Sequence, residues 1–103
     1  MARTALVIQF AWDPRKAQSN QSKHDVGFEA AATVFEDPHS VTIHDGQHSG
    51  VEDRWLTLGC DRSGKLLVVV HSWQEKATVG AHVRIISARP ATRRERQQYE
   101  NSL

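Results

Sequence analysis

The stretch that decides the fold is residues 83–99, VRIISARPATRRERQQY, where a strand gives way to a helix. Residues 83–89 alternate as a strand does, and the chain then passes Pro90 into a helix that runs to about residue 101. Residues 92–95, TRRE, match the Ser/Thr-x-x-Glu capping box, with Thr92 as the N-cap. The sequence therefore places a strand end beside a helix start.

Positive charge is concentrated in this last segment. Residues 1–83 carry 8 basic and 10 acidic side chains, whereas residues 84–103 carry 5 basic and 2 acidic ones. Arg93 and Arg94 fall in the first helical turn, where a cation opposes the helix dipole by roughly 0.3–1 kcal/mol. Because a helix N-terminus attracts phosphate, this placement favours binding of a phosphate or an acidic partner. The alternative is two solvated arginines whose charges are screened by salt.

Length and composition indicate a single domain over residues 1–103, with 39% hydrophobic and 24% charged residues. No apolar run has the length of a membrane span, and the apolar patch at residues 5–10 lacks a signal-peptide cleavage site. The single cysteine, Cys60, excludes an internal disulfide and fits a reducing cytoplasm. We therefore expect a cytoplasmic protein without membrane contacts.

The remaining periodicities predict an α+β fold. In chain order they give an edge strand at 4–10, helices at 14–23 and 28–35, strands at 41–44, 54–60 and 65–71, and a polar connector at 72–82. Because short connections favour sequential hairpins, we expect an antiparallel sheet of about four to five strands. Two N-terminal helices and one C-terminal helix are expected to cover it.

Several blocks of the chain share one family pattern. They are residues 10–16 (FAWDPRK), Asn20, residues 23–24 (KH), residues 28–38 (FEAAATVFEDP), residues 54–59 (RWLTLG), residues 66–71, residues 84–89 (RIISAR), residues 91–96 (ATRRER) and Tyr99. In this order the blocks resemble the BrnT-type toxins of bacterial type II toxin–antitoxin pairs. The chain departs from that pattern at Pro90, where a basic residue is usual, at Asp25, where Gly is usual, and in a longer connector at 72–80.

The resemblance implies a RelE-like ribonuclease fold, cleavage of RNA and arrest of translation. It also implies neutralisation by a cognate BrnA-type antitoxin in a hetero-oligomer. In such pairs operator DNA is bound through the antitoxin and not through the toxin.

Cleavage of RNA without a metal needs a base, an acid and cations that neutralise the phosphorane. The sequence has no acidic cluster suited to Mg²⁺, so we predict neither a metal nor a cofactor. Arg89, Arg93 and Arg94 surround the strand-to-helix turn and are expected to contact RNA. In a regular strand Arg84 points to the face opposite Arg89 unless a bulge intervenes, so it is a second choice. Arg54 either contacts phosphate or forms a local ion pair.

Other side chains are candidates for proton transfer or base contact. His71 is either a general acid–base or a buried structural histidine. Lys23 and His24 either take part in catalysis or complement the negative end of the first helix. Glu95 is a candidate base, although the capping box already accounts for it. Tyr99, on the same helical face, either stacks on RNA or packs the terminal helix.

The resemblance thus implies an endoribonuclease, and we expect the 2′-OH to attack the adjacent phosphate and leave a 2′,3′-cyclic phosphate. The rival hypothesis is a non-enzymatic module whose basic C-terminal edge docks rRNA or an acidic protein. The same basic surface also suits an antitoxin interface, which is compatible with either hypothesis.

Overall fold

The computed structural model describes residues 7–47, 50, 52–76 and 80–103. In chain order its elements are β1 (Ile8–Ala11), α1 (Pro14–His24), α2 (Phe28–Ala32), a 3-10 turn (Thr33–Glu36), β2 (Val41–His44), β3 (Trp55–Cys60), β4 (Leu66–His71), β5 (Gln74–Lys76), β6 (Gly80–Pro90) and α3 (Arg93–Asn101). The strands form a six-stranded sheet in the order β1-β6-β4-β3-β2, with β5 paired to β6. No helix in these described ranges is long and apolar enough to cross a membrane.

The α+β class and the three helical regions are confirmed, but the expectation of a purely antiparallel sheet of four to five strands is wrong, because the sheet is mixed and has six strands among the described residues. β1 runs parallel to β6, with Ile8 opposite Ala81 and Ala11 opposite Arg84. β1 and β6 are far apart in the chain and are joined by a long crossover. The preference for sequential hairpins does not predict such a connection. The expected polar connector in fact contains β5 and the start of β6, because a short edge strand needs no apolar alternation. Of the expected first strand, residues 4–6 lie outside the described part of the chain.

The core lies between the sheet and the two N-terminal helices. It comprises Val26, Phe28, Ala31, Val34, Leu67, Val69, Val83, Ile85 and Ala88. The apolar stripe predicted for the second helix supplies Phe28 and Ala31, although this helix gives way to the 3-10 turn at Thr33. β4 is the central strand, as predicted, and its buried residues each contribute roughly 1.5–3 kcal/mol by leaving water.

A β-bulge in β6 changes which side chains share a face of the sheet. Val70 of β4 lies opposite Ser87, whereas its neighbour His71 lies opposite Ile85, so Ile86 is an extra residue without a partner on β4. Paired residues in adjacent strands point to the same face. The residues that follow the bulge are therefore displaced by one position relative to those that precede it.

The bulge places Arg84 and Arg89 on one face of β6, so the regular-strand expectation of opposite faces is wrong. Arg84 precedes the core residue Ile85, and Arg89 follows the core residue Ala88. The side chains of His82, Arg84, Ser87 and Arg89 therefore all project away from the core. We call this set the outer face of β6.

Candidate functional site

α1 closes the edge of β6 beyond the end of β1, and one buried amide fixes it there. The Asn20 Nδ2 donates to the backbone oxygens of Ala88 at 2.8 Å and Val26 at 3.0 Å. The Asn20 Oδ1 accepts from the Ala88 N–H at 3.0 Å. Asn20 thus bonds to the strand as a neighbouring strand would, and it holds α1 beside the bulge. A lone Asn in a polar helix gives no sequence signal of this role.

A cleft of about 310 Å³ lies between α1 and the bulged part of β6. We call it the α1–β6 cleft, and it is lined by Lys16, Ser19, Asn20, Lys23, His24, Ile86 and Ser87. No acidic side chain occurs among these lining residues. The cleft therefore brings two lysines and an imidazole together beside the hydroxyl of Ser87.

The predicted pair Lys23 and His24 is thus joined by Lys16, Ser19 and Asn20, which were not among the predicted site residues. The five lining residues of α1 are spaced i, i+3, i+4, i+7 and i+8 from Lys16, which is one face of a helix. This periodicity of polar residues was the available signal. A search restricted to apolar periodicity does not detect such a polar face.

Arg89 is held by Glu95 at the junction of β6 and α3. Its Nη1 and Nη2 donate to the two carboxylate oxygens of Glu95 at 2.8 and 2.9 Å. The bond to Glu95 raises the pKa of Arg89. The side chain of Arg89 remains 39% exposed, so part of the guanidinium still faces solvent.

Glu95 is a positioning residue in this arrangement. Its Oε1 also accepts from the Thr92 N–H at 2.8 Å, and its own N–H donates to the Thr92 hydroxyl, which confirms the capping box. The hydrogen bond from Arg89, assisted by Thr92, lowers the pKa of Glu95 to about 2. Because an efficient general base has a pKa near the working pH, the candidate role of Glu95 as a base is not supported.

His71 is fully buried, and it matches the structural alternative. Its Nδ1 lies 2.9 Å from the Ser72 carbonyl, which can only accept, so Nδ1 carries the proton. Its Nε2, 2.7 Å from the Thr57 hydroxyl, then accepts from that hydroxyl. Burial lowers the pKa of His71 and keeps the ring neutral. His71 is therefore not placed to exchange a proton with RNA, because it lies on the core side of the sheet.

Tyr99 likewise packs the terminal helix and is not free to stack on a base. It is buried, and its hydroxyl donates to the Asp37 Oδ2 at 2.6 Å. The same oxygen accepts from the Cys60 N–H at 2.8 Å. The bond to Asp37 is the main reason that the pKa of Tyr99 is raised. Together these contacts join α3, β3 and the segment that follows the 3-10 turn.

The other predicted arginines are distributed over the surface. Arg84 forms an ion pair with Glu52, and both side chains are partly exposed. Arg54 is half-buried immediately before β3. Arg93 and Arg94 are exposed, and neither has a side-chain partner within the described ranges. The structure thus places Arg84 and Arg89 on one face and leaves Arg93 and Arg94 on the outside of α3.

Among the described residues, no group of three or more His, Cys, Asp or Glu side chains is positioned to hold a metal ion. The polar chemistry that the chain offers at the α1–β6 cleft consists of ammonium, imidazole, hydroxyl and amide groups. These groups bind anions and move protons.

The described residues form a small α+β domain with a mixed sheet and, beside one strand, a cleft lined by lysine and histidine side chains. Residues 12–95 match the family model described as the ribonuclease toxin, BrnT, of type II toxin–antitoxin systems. The chain therefore belongs to the BrnT family of toxins, as the sequence blocks indicated.

The fold is similar to that of a known member. The crystal structure of the Brucella abortus ribonuclease toxin BrnT superposes with a TM-score of 0.58 at 17% sequence identity. The match covers 84% of this chain and 100% of the Brucella chain. No curated protein sequence matches this chain.

Proposed function

We propose that this toxin is a metal-independent endoribonuclease that cuts RNA at the α1–β6 cleft and thereby arrests translation in the cytoplasm. The observation that carries the proposal is the placement of Lys16, Lys23 and His24 around one cleft without an acidic neighbour in its lining. Membership of a ribonuclease toxin family supports the reaction class.

The reaction requires that the ribose 2′-oxygen bond to phosphorus while the bond from phosphorus to the 5′-oxygen breaks. The proton leaves the 2′-OH, and a proton is delivered to the departing 5′-oxygen. His24 is the group in the cleft that can accept and return a proton. Lys16 and Lys23 supply the positive charge that stabilises the phosphorane.

Arg89 contributes to the same site from the outer face of β6. It lies two residues beyond Ser87, about 7 Å along the strand. Glu95 fixes its guanidinium, which saves the entropy of ordering a long side chain when RNA binds. We assign Arg89 to a phosphate neighbouring the scissile one.

A BrnA-type antitoxin is the proposed neutralising partner, forming a hetero-oligomer in which the antitoxin, and not the toxin, contacts operator DNA. Family membership supports an antitoxin partner of this kind. The cationic cleft suits an acidic segment as well as RNA, so direct occlusion of the cleft is the expected mode of inhibition.

The rival function is a non-enzymatic module that docks rRNA or an acidic protein. It is favoured by one observation, the exposed Arg93 and Arg94 on α3, which lack partners among the described residues. Such a module needs these charges but does not need His24.

The test is cleavage of RNA by the purified toxin in the presence of EDTA, followed by analysis of the new ends. We expect 2′,3′-cyclic phosphate and 5′-hydroxyl ends. New 3′-hydroxyl ends, or cleavage that EDTA abolishes, would contradict the proposed chemistry. Tight RNA binding without cleavage would favour the docking module.

A further inference from the structure

Three polar side chains form a row across three strands at the far end of the outer face. Gln9 of β1 and Gln74 of β5 both lie directly opposite His82 of β6, one on each side. Paired residues share a face, and all three are exposed. Within the described ranges, none of the three side chains forms a hydrogen bond. Their amide and imidazole groups are therefore available to a ligand.

The row lines a cleft of about 530 Å³ that also contains Trp73, Glu52 and Asp53. The half-buried indole of Trp73 supplies an aromatic wall, and the two glutamine amides supply both donors and acceptors. The carboxylates of Glu52 and Asp53 are paired with Arg84 and His44, and their oxygens accept hydrogen bonds but donate none. A neutral, flat ligand that carries donors fits this combination, and a nucleobase has those properties.

This cleft and the α1–β6 cleft lie beside two neighbouring parts of the same strand, β6. Because Ile86 is bulged out, His82 and Ser87 are separated by four regular steps, which is about 13 Å. Arg84 lies between them on the same face, where it forms the ion pair with Glu52. A single-stranded RNA that extends along β6 can therefore reach from the α1–β6 cleft to the row formed by Gln9, His82 and Gln74.

We propose that Gln9, His82 and Gln74, with Glu52 and Asp53, form a nucleobase subsite that selects a base with an exocyclic amino group over uracil. This inference rests on the proposed action on RNA. The amino group of cytosine donates to a carboxylate, whereas the corresponding carbonyl of uracil is repelled by it. The two glutamine amides bind cytosine and uracil alike, whereas the two carboxylates favour cytosine over uracil.

The test uses heptamers of 2′-O-methyl cytidine and 2′-O-methyl uridine. The methyl group blocks 2′-OH attack, so binding is measured by fluorescence anisotropy without cleavage. We expect the wild-type toxin to bind the cytidine heptamer about tenfold more tightly. Gln9→Ala with Gln74→Ala weakens both heptamers, and Glu52→Gln with Asp53→Asn removes the preference. The matched control is Gln18→Ala with Gln98→Ala, two exposed glutamines outside the cleft.

The possible outcomes distinguish failure of the nucleobase subsite from failure of the ribonuclease proposal. Wild-type cleavage of unmodified RNA without a cytidine preference overturns the subsite and leaves the ribonuclease proposal standing. A preference that depends on the carboxylates, without cleavage of unmodified RNA, supports the subsite and overturns the nuclease. Failure to bind either heptamer overturns the subsite. Glutamine variants that bind both heptamers as the wild type does, but escape the antitoxin, reassign the cleft to a protein partner and overturn it too.

Discussion

The guanidinium of Arg89 and the carboxylate of Glu95 form two parallel hydrogen bonds that join the last strand to the last helix. Glu95 also completes the capping box with Thr92, so one carboxylate both begins α3 and orients the arginine. Within the basic segment 84–103, the guanidinium of Arg89 is thereby held in a defined orientation. This pair allows the structural and functional roles of Arg89 to be separated.

Arg89→Ala and Glu95→Gln both break the ion pair, and we expect each to lower the free energy of unfolding by about 1 kcal/mol. Only Arg89→Ala removes the charge assigned to RNA. We therefore expect RNA cleavage to fall at least tenfold in Arg89→Ala and less than threefold in Glu95→Gln, which is a difference of at least about 0.7 kcal/mol in transition-state stabilisation. Urea denaturation and cleavage rates check the pair. Equal losses of activity would show that Arg89 has only a structural role.

Glu95 also predicts an acid limit to stability. Its pKa is about 2 in the fold, against an ordinary value of 4.5, so folding is favoured while the carboxylate is ionised. This contribution is complete above about pH 4.5 and is lost as the pH falls toward 2. Asp37 and Asp61, whose pKa values are also lowered, lose their contributions at acid pH in the same way. Urea midpoints measured across this range should fall less steeply for Glu95→Gln than for the wild type.

His71 predicts a second pH dependence, at higher pH. Because burial lowers its pKa below the ordinary 6.5, the neutral ring stabilises the fold above that pH. The contribution is lost as the pH falls below 6.5. We expect His71→Gln to cost about 1–3 kcal/mol at pH 7.5 and to flatten the stability profile between pH 7 and 5. A folded His71→Gln protein that no longer cuts RNA would restore a catalytic role to this histidine.

The backbone conformation at Asp25 accounts for the glycine that is usual at this position of the family pattern. It ends α1 in the left-handed conformation, with φ of 54°, where glycine avoids the steric cost. We expect Asp25→Gly to raise the free energy of unfolding by about 0.5–1 kcal/mol, or Tm by roughly 3–6 °C. Gly64→Ala is the reciprocal control. Its φ is 91° and its added Cβ meets no neighbour, so it should lower Tm through backbone strain alone.

The sequence predicted those features that depend on local patterns. The capping box at Thr92, the stripe through Phe28 and the buried strand β4 each follow from residue spacing, and the structure confirms them. The pairing of β1 with β6 depends on distant residues, and periodicity does not encode it.

The candidate site shows the same division. The spacing of Lys23 and His24 was visible, but their approach to Ser87 depends on the amide of Asn20 and on the bulge at Ile86. A bulge leaves no clear signal in an apolar strand. His71, by contrast, was a catalytic candidate from its position at a strand end. That position did not reveal that Thr57 and Ser72 satisfy both of its ring nitrogens.

The most direct test of the account compares single-turnover cleavage of one RNA by the wild type, His24→Ala and His71→Gln, with EDTA present and folding verified by circular dichroism. We expect His24→Ala to be slower by a factor of 10² to 10⁴, the usual contribution of general acid–base catalysis. We expect His71→Gln to cut within threefold of the wild type. A folded His24→Ala protein that cuts at the wild-type rate would contradict the placement of the reaction in the α1–β6 cleft.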